Sequence, residues 1–329
     1  MIIPSRNGLC PCGSGKKYKR CCLDHSSKKH AAVLDEISQI LAMNPTLTLD
    51  ELNLVAEHKI TRINHQPLDD FCGLSPAQMS NWLYAPLDQL SNVNLHIPND
   101  LNHSPVLRYL ALILDYAVQQ GGSFKTTTRG NLPSNLVKQA NELLTELPIS
   151  KFNRLRCLNE FEGSNEGKFN ALHYTRILAE LAGILISKKS RFEITPYTQQ
   201  QYRNEGIRAF FFPMLTAATT QFNWGYFDSF DEHVDLRQFW LFMTWRLHAH
   251  ASIDKLIDEV CIAFPDLLTQ FSQQDYFTPR EQLTLCIKSR FLSRFLEFWG
   301  FITFEQTGLL TTKPLFKQPM FQQTFDFLL

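Results

Sequence analysis

The sequence predicts a mainly α-helical protein with small β-hairpins, in which a short cysteine-rich module precedes a helical body with two or three winged-helix-like units. Three observations predict this fold class. Half of the eight cysteines fall within residues 10–22. Apolar residues recur at helical spacing through much of the remaining chain. A helix, a glycine and a short apolar hairpin follow one another in three places, which is the order of a winged-helix unit.

The composition is that of an ordinary globular protein. The chain has 329 residues, of which 44% are hydrophobic and 12% aromatic, and its formal net charge is zero. This length and composition allow two or three packed units and exclude a disordered chain. Residues 1–30 contain seven lysines and arginines but one acid, Asp24, so this head carries +6 and the rest of the chain −6. The head is therefore expected to meet an anionic partner, whereas the body has no broad field for nucleic acid.

The sequence also predicts where the protein resides. No stretch approaches the roughly 18 consecutive apolar residues of a membrane helix, and the opening MIIPSRNG is too short for a signal peptide. We therefore expect a cytoplasmic protein without membrane contact. Four cysteines outside the cluster lie in apolar or helical surroundings, which are typical of buried structural thiols. These are Cys72, Cys157, Cys261 and Cys286.

The stretch NGLCPCGSGKKYKRCC, residues 7–22, has the composition of a small metal module. Its C-x-C and C-C pairs are eight residues apart and supply the four thiolates of a closed tetrahedral zinc site. In a reducing compartment such a cluster is more typical of a metal site than of disulfides. A fold this small has almost no core without metal, so zinc binding would supply most of its folding free energy, on the order of 10 kcal/mol.

Two other functions of this stretch fit its residues poorly. A phosphate loop needs a glycine five positions before Gly15, where Cys10 stands, and Lys17 replaces the hydroxyl residue that follows the lysine. A redox dithiol needs C-x-x-C at a helix start, which neither cysteine pair has. His25 and His30 are expected to be linker residues, because four thiolates already complete a zinc site.

The run CPCGSGKKYKRCC closely resembles the SEC-C motif, a zinc module found at the C-terminal tail of the bacterial preprotein-translocase motor and in assorted bacterial proteins. The similarity covers about residues 5–25, including the closing Cys-Cys, where the family has Cys-Cys or Cys-His. It implies that the zinc ligands are Cys10, Cys12, Cys21 and Cys22. It also implies a partner-facing surface formed by Lys16, Lys17, Tyr18, Lys19 and Arg20. Relatives dock on export chaperones or ribosomes, but this module is N-terminal, which leaves the partner open.

The chain is expected to contain five segments. They are the zinc module (1–28), a helical connector (29–66), a helical domain that is a candidate winged-helix-like unit (67–150), a winged-helix-like unit (151–230), and a helical segment with a C-terminal winged-helix-like unit (231–329). Thr48 or Asp50 is a candidate N-cap for a connector helix, and Ser75 is a candidate cap before Pro76. The segments DDFCGLSPAQMSNWLY and RGNLP resemble those of bacterial proteins that join a SEC-C module to a helical body, a similarity that implies no activity.

Residues 104–133, 171–198 and 279–316 carry the winged-helix pattern. One strand is visible in the first, two strands around a charged turn in the second, and a hairpin with Gly308 at the bend in the third. Because winged helices often bind DNA, the basic residues of the last two are candidate phosphate contacts: Lys188, Lys189, Arg191, Lys288, Arg290 and Arg294. However, Arg290 and Arg294 have the spacing of an ordinary solvated face and the body is acidic, which favours a scaffold.

Residues 221–250 combine tryptophans, carboxylates and histidines. Trp240 and Trp245 fit a buried helical stripe, and His248 and His250, two positions apart, would point away from each other and form a poor metal pair. An acidic loop in the same segment is hypothesised to pair with the basic head. Its members are Asp228, Asp231, Glu232 and Asp235.

No catalytic motif is present. The sequence lacks a G-x-S-x-G elbow, an H-E-x-x-H helix, a Walker loop and a dinucleotide fingerprint, and a site assembled from distant residues is not visible at this level. The sequence thus favours a zinc-binding accessory or adaptor protein whose head docks on a ribosome, an export chaperone or another protein. The alternative is a nucleic-acid-binding or defence-associated regulator that acts through its winged-helix units.

Overall fold

The computed structural model describes residues 7, 16–20, 42–43, 48–144, 165–228, 230, 234–272, 274, 276–304 and 315–329. Across these residues the protein is mainly helical with small antiparallel strand pairs, as the sequence predicts. None of the helices described is long and apolar enough to cross a membrane. The chain divides into two compact units, residues 1–85 with 254–284 (the first unit) and residues 86–253 with 285–329 (the second unit).

The regular elements are short. The α-helices are α1 (Leu49–His65), α2 (Pro76–Tyr84), α3 (Pro105–Gln119), α4 (Ser134–Leu144), α5 (Asn170–Leu181), α6 (Pro196–Glu205), α7 (Phe211–Thr216), α8 (Trp240–His250), α9 (Ile253–Ala263), α10 (Pro279–Cys286) and α11 (Pro319–Thr324). The strands are β1 (Val93–Leu95), β2 (Ser123–Lys125), β3 (Ile186–Lys188), β4 (Arg191–Glu193), β5 (Ile302–Phe304), β6 (Leu315–Lys317) and β7 (Phe325–Phe327). Ala217–Gln221 and Ile287–Glu297 are π-helical, and several 3-10 turns connect the elements.

Side-chain caps set the starts of the first two helices in the first unit. The Thr48 hydroxyl accepts a hydrogen bond from the Glu51 amide, and the Glu51 carboxylate accepts one from the Thr48 amide in return. Ser75 and Gln78 form the same reciprocal pair at the start of α2. Each pair satisfies amide donors that a helix start otherwise leaves open. Both predicted caps are confirmed, with Thr48 rather than Asp50 in the first position.

The second unit is organised around α3, whose apolar face packs against α4 and α5. Aromatic rings fill the space beside these helices. Tyr109 of α3 meets Phe169 edge-on with ring centroids 5.6 Å apart, and Tyr174 of α5 meets Phe222 edge-on at 4.7 Å. Such edge-to-face pairs add to the stabilisation that comes from burying the rings. The abundant phenylalanine of the sequence therefore serves largely as core.

The winged-helix pattern at its first and second places forms one sheet rather than two separate units. Strand β2 from the first place pairs antiparallel with β4 from the second, with Phe124 opposite Phe192, and β4 also pairs with β3. The strand order is therefore β2–β4–β3. The chain thus forms one helix, one strand, two helices and two strands in succession, and its three strands belong to a single small sheet. The pairing of β2 with β4 crosses the expected segment boundary at residue 150.

At the third place the two expected strands are present. Strand β5 pairs antiparallel with β6, with Phe304 opposite Leu315. Gly308, expected at the bend, lies outside the described residues. The chain then forms α11 and β7, and β7 pairs antiparallel with β1, so that Phe327 lies opposite Val93.

Candidate functional site

The basic part of the head forms a tight exposed turn. Residues Tyr18–Arg20 adopt a 3-10 turn, and the Arg20 amide donates a hydrogen bond to the Lys17 carbonyl oxygen at 2.8 Å. Lys16, Lys17, Lys19 and Arg20 are exposed, and Tyr18 is half-buried. The turn therefore places four cations on a short stretch of surface.

The four cysteines expected to bind zinc, Cys10, Cys12, Cys21 and Cys22, lie outside the described residues, as do His25 and His30. Four thiols are the complete ligand set of a structural zinc site, so the donor set of these cysteines fits zinc. Over the described part of the chain, no three histidine, cysteine or acidic side chains come together as a metal site.

The remaining cysteines lie in the body. Cys261 and Cys286 are buried, as expected of structural thiols, whereas Cys72 is half-buried. Cys157 is outside the described residues.

The two histidines of α8 make separate contacts. The His248 ring stacks on Phe321 with ring centroids 5.9 Å apart, and burial and the nearby Lys317 ammonium lower the pKa of His248. His250 Nδ1 accepts a hydrogen bond from the Ser252 amide at 3.1 Å. These contacts give both imidazoles a packing or capping role.

The tryptophans of α8 follow the expected stripe only in part. Trp240 is buried with Leu241 and Leu247, which confirms its place in the core. Trp245, expected to share that stripe, is half-buried instead, and the Arg246 guanidinium lies 4.5 Å from its ring centroid.

The turn between β3 and β4 carries exposed cations. Lys188 and Lys189 are exposed, and Lys188 Nζ lies 3.8 Å from a Glu193 carboxylate oxygen. Arg191 is half-buried and donates hydrogen bonds to the hydroxyl and carbonyl oxygens of Ser123, at 2.7 and 2.9 Å. Arg191 therefore ties β4 to β2, and the two lysines remain at the surface.

The expectation that Arg290 and Arg294 lie on a solvated face is wrong, and the candidate phosphate contact Lys288 is buried with them. Lys288, Arg290 and Arg294 are at most 3% exposed. The physical reason is that residues 287–297 form a π-helical segment in which every side chain is buried, so the spacing of a half-exposed α-helix does not apply. These three side chains therefore present no charge to a phosphate group in this conformation.

Buried arginines of this segment converge on one carboxylate. Arg290 Nε donates to Asp228 Oδ2 at 2.6 Å, and Arg294 Nη1 approaches the same oxygen at 3.2 Å. Arg290 also donates to the Val234 carbonyl oxygen, and Arg294 to that of Trp224 at 3.2 Å. Asp228 is thus the counter-ion at the centre of a buried network.

This network changes the expected role of the acidic loop. Asp228, hypothesised to pair with the basic head, is buried and bound to two arginines of the second unit. Asp235 pairs with Arg237 at 2.5 Å, and the hydrogen bonds from Arg237 outweigh burial, so the pKa of Asp235 is lowered. Asp231 and Glu232 lie outside the described residues.

A second buried cluster had not been anticipated from the sequence. The carboxylate of Glu166 is fully buried and accepts hydrogen bonds from the Leu132 amide at 2.5 Å, from His173 Nδ1 at 2.6 Å and from Arg176 Nε. Burial opposes ionisation of Glu166, but these donors outweigh it and lower its pKa. Arg176 also binds Glu180, with Nη1 2.6 Å from a carboxylate oxygen. For Glu180 the effect of burial is the larger one, and it raises the pKa of this carboxyl group.

One signal for this cluster was present in the sequence. His173, Arg176 and Glu180 are spaced three and four residues apart, which places them on one side of α5. Glu166 has no comparable spacing signal, because it precedes the helix in a 3-10 turn. His173 Nε2 also lies 3.3 Å from the Tyr226 hydroxyl, which adds a second distant segment.

Comparisons with known proteins match the head alone. Residues 6–24 match the SEC-C motif. A UPF0225 protein of Serratia proteamaculans is 79% identical over 19 residues, and one of Sodalis glossinidius is 71% identical over 21 residues. Each match covers 6% of this chain and only 12% and 14% of the two relatives, respectively. No solved structure is significantly similar. The chain therefore carries a SEC-C motif at residues 6–24, which it shares over that stretch with bacterial UPF0225 proteins.

Proposed function

We propose that the protein is a zinc-binding adaptor whose SEC-C head docks on an anionic partner in the cytoplasm, while the helical body acts as a scaffold. The observation that carries this proposal is the exposed turn at residues 16–20, which lies between the two cysteine pairs of the motif. The body contributes no comparable exposed group of cations at residues 288–294, since those side chains are buried.

Zinc would act structurally in this head. Cys10, Cys12, Cys21 and Cys22 would fill all four positions of a tetrahedral ion, which leaves no open position for a substrate. A metal bound on both sides of the basic turn would fix the turn before a partner arrives. Binding then loses less conformational entropy than it would with a flexible basic tail.

The partner surface should be acidic. Four cations on one turn favour association with a negative surface, and such an interaction weakens as salt screens the charges. A ribosome or an acidic export chaperone offers a surface of this kind. The half-buried Tyr18 adds an aromatic contact within the same turn.

Three full-length variants test the proposal. Cys21→Ser/Cys22→Ser should lose bound zinc, and the replacement of Lys16, Lys17, Lys19 and Arg20 by alanine should keep zinc. Both should lose the co-purifying ribosome or chaperone, whereas Cys72→Ser, a matched cysteine change in the body, should keep zinc and partner. Full zinc content in the Cys21/Cys22 variant would disprove the ligand assignment, and partner retention in the alanine variant would disprove docking through the turn.

A second candidate function follows from the order of elements in the second unit. Helix α3, strand β2, helices α4 and α5, and the hairpin β3–β4 have the succession of a winged-helix domain, and the sheet order β2–β4–β3 agrees with it. In such a domain α5 would take the position of the DNA-reading helix. Its arginine, Arg176, is bound to Glu166 and Glu180, however, so this helix offers a poor phosphate contact.

We therefore propose that this winged-helix-like arrangement acts as a scaffold. If the body does bind nucleic acid, the exposed residues Lys188 and Lys189 of the β3–β4 hairpin, the wing, would make the contact. The variant Lys188→Glu/Lys189→Glu separates the two functions. If the body bound DNA or RNA through the wing, this variant should lose salt-sensitive binding by at least tenfold. A scaffold predicts no saturable nucleic-acid binding by the native protein or by this variant. Arg203→Glu, at an exposed position of α6, is the control for a charge change of the same sign elsewhere on the surface.

A further inference from the structure

An open apolar groove lies beside β1 in the second unit. Its volume is about 590 Å³, which is within the usual range of small binding sites. One wall is strand β1 and the segment before it, and the other is α7. The lining residues are Pro86, Leu87, Asp88, Leu90, Val93, Asn94, Leu95, His96, Phe212 and Thr216.

Strand β1, which lines this groove, is an edge strand paired on one side with β7. The Asn92 carbonyl oxygen accepts from the Leu328 amide at 3.0 Å, and the His96 amide donates to the Thr324 carbonyl oxygen at 2.9 Å. Because residues in an antiparallel pair alternate between bonded and non-bonded positions, Asn94 also faces β7, and Val93 and Leu95 face the other way. Throughout the described residues, no strand or other backbone group bonds to this outer edge of β1.

We infer that the groove binds an extended peptide segment of a partner protein, which adds a strand to the outer edge of β1. The outer edge of β1 favours a peptide in an extended conformation over a helical one. An extended chain has backbone donors and acceptors available for Val93 and Leu95, whereas a helix uses its own internally. Alternate side chains of the added strand would enter the groove, where Leu87, Leu90 and Phe212 provide apolar contacts.

The charge of the groove restricts the peptide further. Asp88 is the one acidic residue in the lining, which has no lysine or arginine, and its side chain is exposed. A lysine or arginine next to the apolar positions of the peptide would therefore complement the groove. The groove is lined by residues 86–216 alone, so the inference rests on neither the zinc site nor the partner of the head.

Fluorescence polarisation with the full-length chain tests the inference. The probes are fluorescein-labelled eight-residue peptides with terminal lysines, in which threonine alternates with valine, leucine or phenylalanine. At least one should bind saturably. Two N-methylated versions of that peptide, one for each set of alternate amides, distinguish strand addition from simple apolar contact. Methylation of the set facing β1 should weaken binding at least tenfold, and methylation of the other set should not.

Protein variants locate the site. Thr216→Trp should fill the groove and weaken binding at least tenfold. Asp88→Lys should weaken binding of the lysine peptide and favour the same peptide with terminal glutamates, whereas Glu205→Lys, on the exposed end of α6, should leave both affinities unchanged. Because Asp88 is exposed, this charge reversal remains informative even if Thr216→Trp fails to fold.

Four results would overturn the inference. They are the absence of saturable binding by any peptide, equal binding of both methylated versions, binding unaffected by either groove variant, and slow amide exchange at Val93 and Leu95 in the isolated protein. The last would mean that the edge is already covered by this chain or, if the protection depends on protein concentration, by a second copy. Support requires selective loss with one methylated peptide together with the charge reversal at Asp88.

Discussion

Arg290 and Asp228 form a buried ion pair that joins segments 62 residues apart in the sequence. Their side chains are 3% and 4% exposed, and Arg290 Nε lies 2.6 Å from Asp228 Oδ2. Burial alone would lower the pKa of Arg290, but its hydrogen bond to Asp228 and the surrounding negative charges raise it. The carboxylate therefore supplies the counter-charge for a guanidinium that is buried inside the second unit.

Removing this carboxylate should strongly destabilise the protein. Asp228→Asn leaves the Arg290 and Arg294 charges without their shared acid, and breaking a buried ion pair in this way typically costs roughly 3–5 kcal/mol. The free energy of unfolding in urea measures the loss. Asp235→Asn is the matched control, because its pair with Arg237 is partly exposed, and about 1 kcal/mol is expected there. Equal losses in both variants would contradict a central role for Asp228.

The buried Glu166 should make stability depend on acid pH. Its folded-state pKa is lowered, so the folded protein binds fewer protons than the unfolded chain between the two values. Glu166 thus contributes stability above the unfolded pKa of about 4.3, and this contribution disappears as pH falls through the lower folded value.

Urea unfolding of Glu166→Gln between pH 7 and pH 3 tests this sign. The variant should be less stable than the native sequence at pH 7, and the difference should shrink towards pH 3. Glu205→Gln alters an exposed carboxylate, so its free energy of unfolding should change with pH in the same way as that of the native protein. A constant difference between Glu166→Gln and the native protein across this range would show that its proton is not linked to folding.

Zinc removal should affect the head and spare the body. A thiol-modifying reagent should release one zinc per chain, measured with a colorimetric chelator, if the four clustered cysteines bind a single ion. The thermal unfolding midpoint of the body should change little, because its core is apolar and aromatic and no metal-binding group is found over the described residues. A fall of the body's midpoint in step with zinc release would reject this separation.

Local features of this fold could be predicted from the sequence. Thr48 and Ser75 were recognisable caps because the side chain and the amide that it binds are three residues apart. The β3–β4 hairpin was visible for the same reason, since its strands are adjacent in the chain. In each case the interaction lies within one short segment, where sequence spacing reports directly on geometry.

Features formed by distant segments could not be predicted in this way. Strand β2 pairs with β4 although Ser123 and Arg191 are 68 residues apart. Glu166 gains its partners from α5 and from the amide of Leu132. Arg290 and Arg294 suggested a solvated face because their spacing is compatible with an α-helix, whereas the π-helical backbone and the Asp228 partner place them inside. Charge pattern alone does not distinguish a surface cation from a buried one with a counter-ion.

A side chain at Gly300 should destabilise the protein, because two separate restrictions meet there. Its φ of +82° lies in the left-handed region, and a Cβ atom would lie 2.4 Å from the His103 carbonyl oxygen. Gly183 has a similar φ of +69° with open space around the same position, so it isolates the backbone restriction.

Gly183→Ala should therefore cost about 1–2 kcal/mol from the left-handed backbone alone. Gly300→Ala should cost about 1–3 kcal/mol more, since the His103 backbone must shift. If the two variants have the same m-value, the difference between their urea unfolding midpoints gives the cost of the contact between the new Cβ atom and the His103 carbonyl oxygen. Gly300 lies two residues before β5, and Thr303 and Phe316 are the residues whose amides face each other across the β5–β6 pair. Hydrogen exchange of these two amides should accelerate in Gly300→Ala and remain unchanged in Gly183→Ala. Equal midpoints for the two variants would mean that the chain around His103 yields without resistance, and the close approach would then have no part in fixing the hairpin.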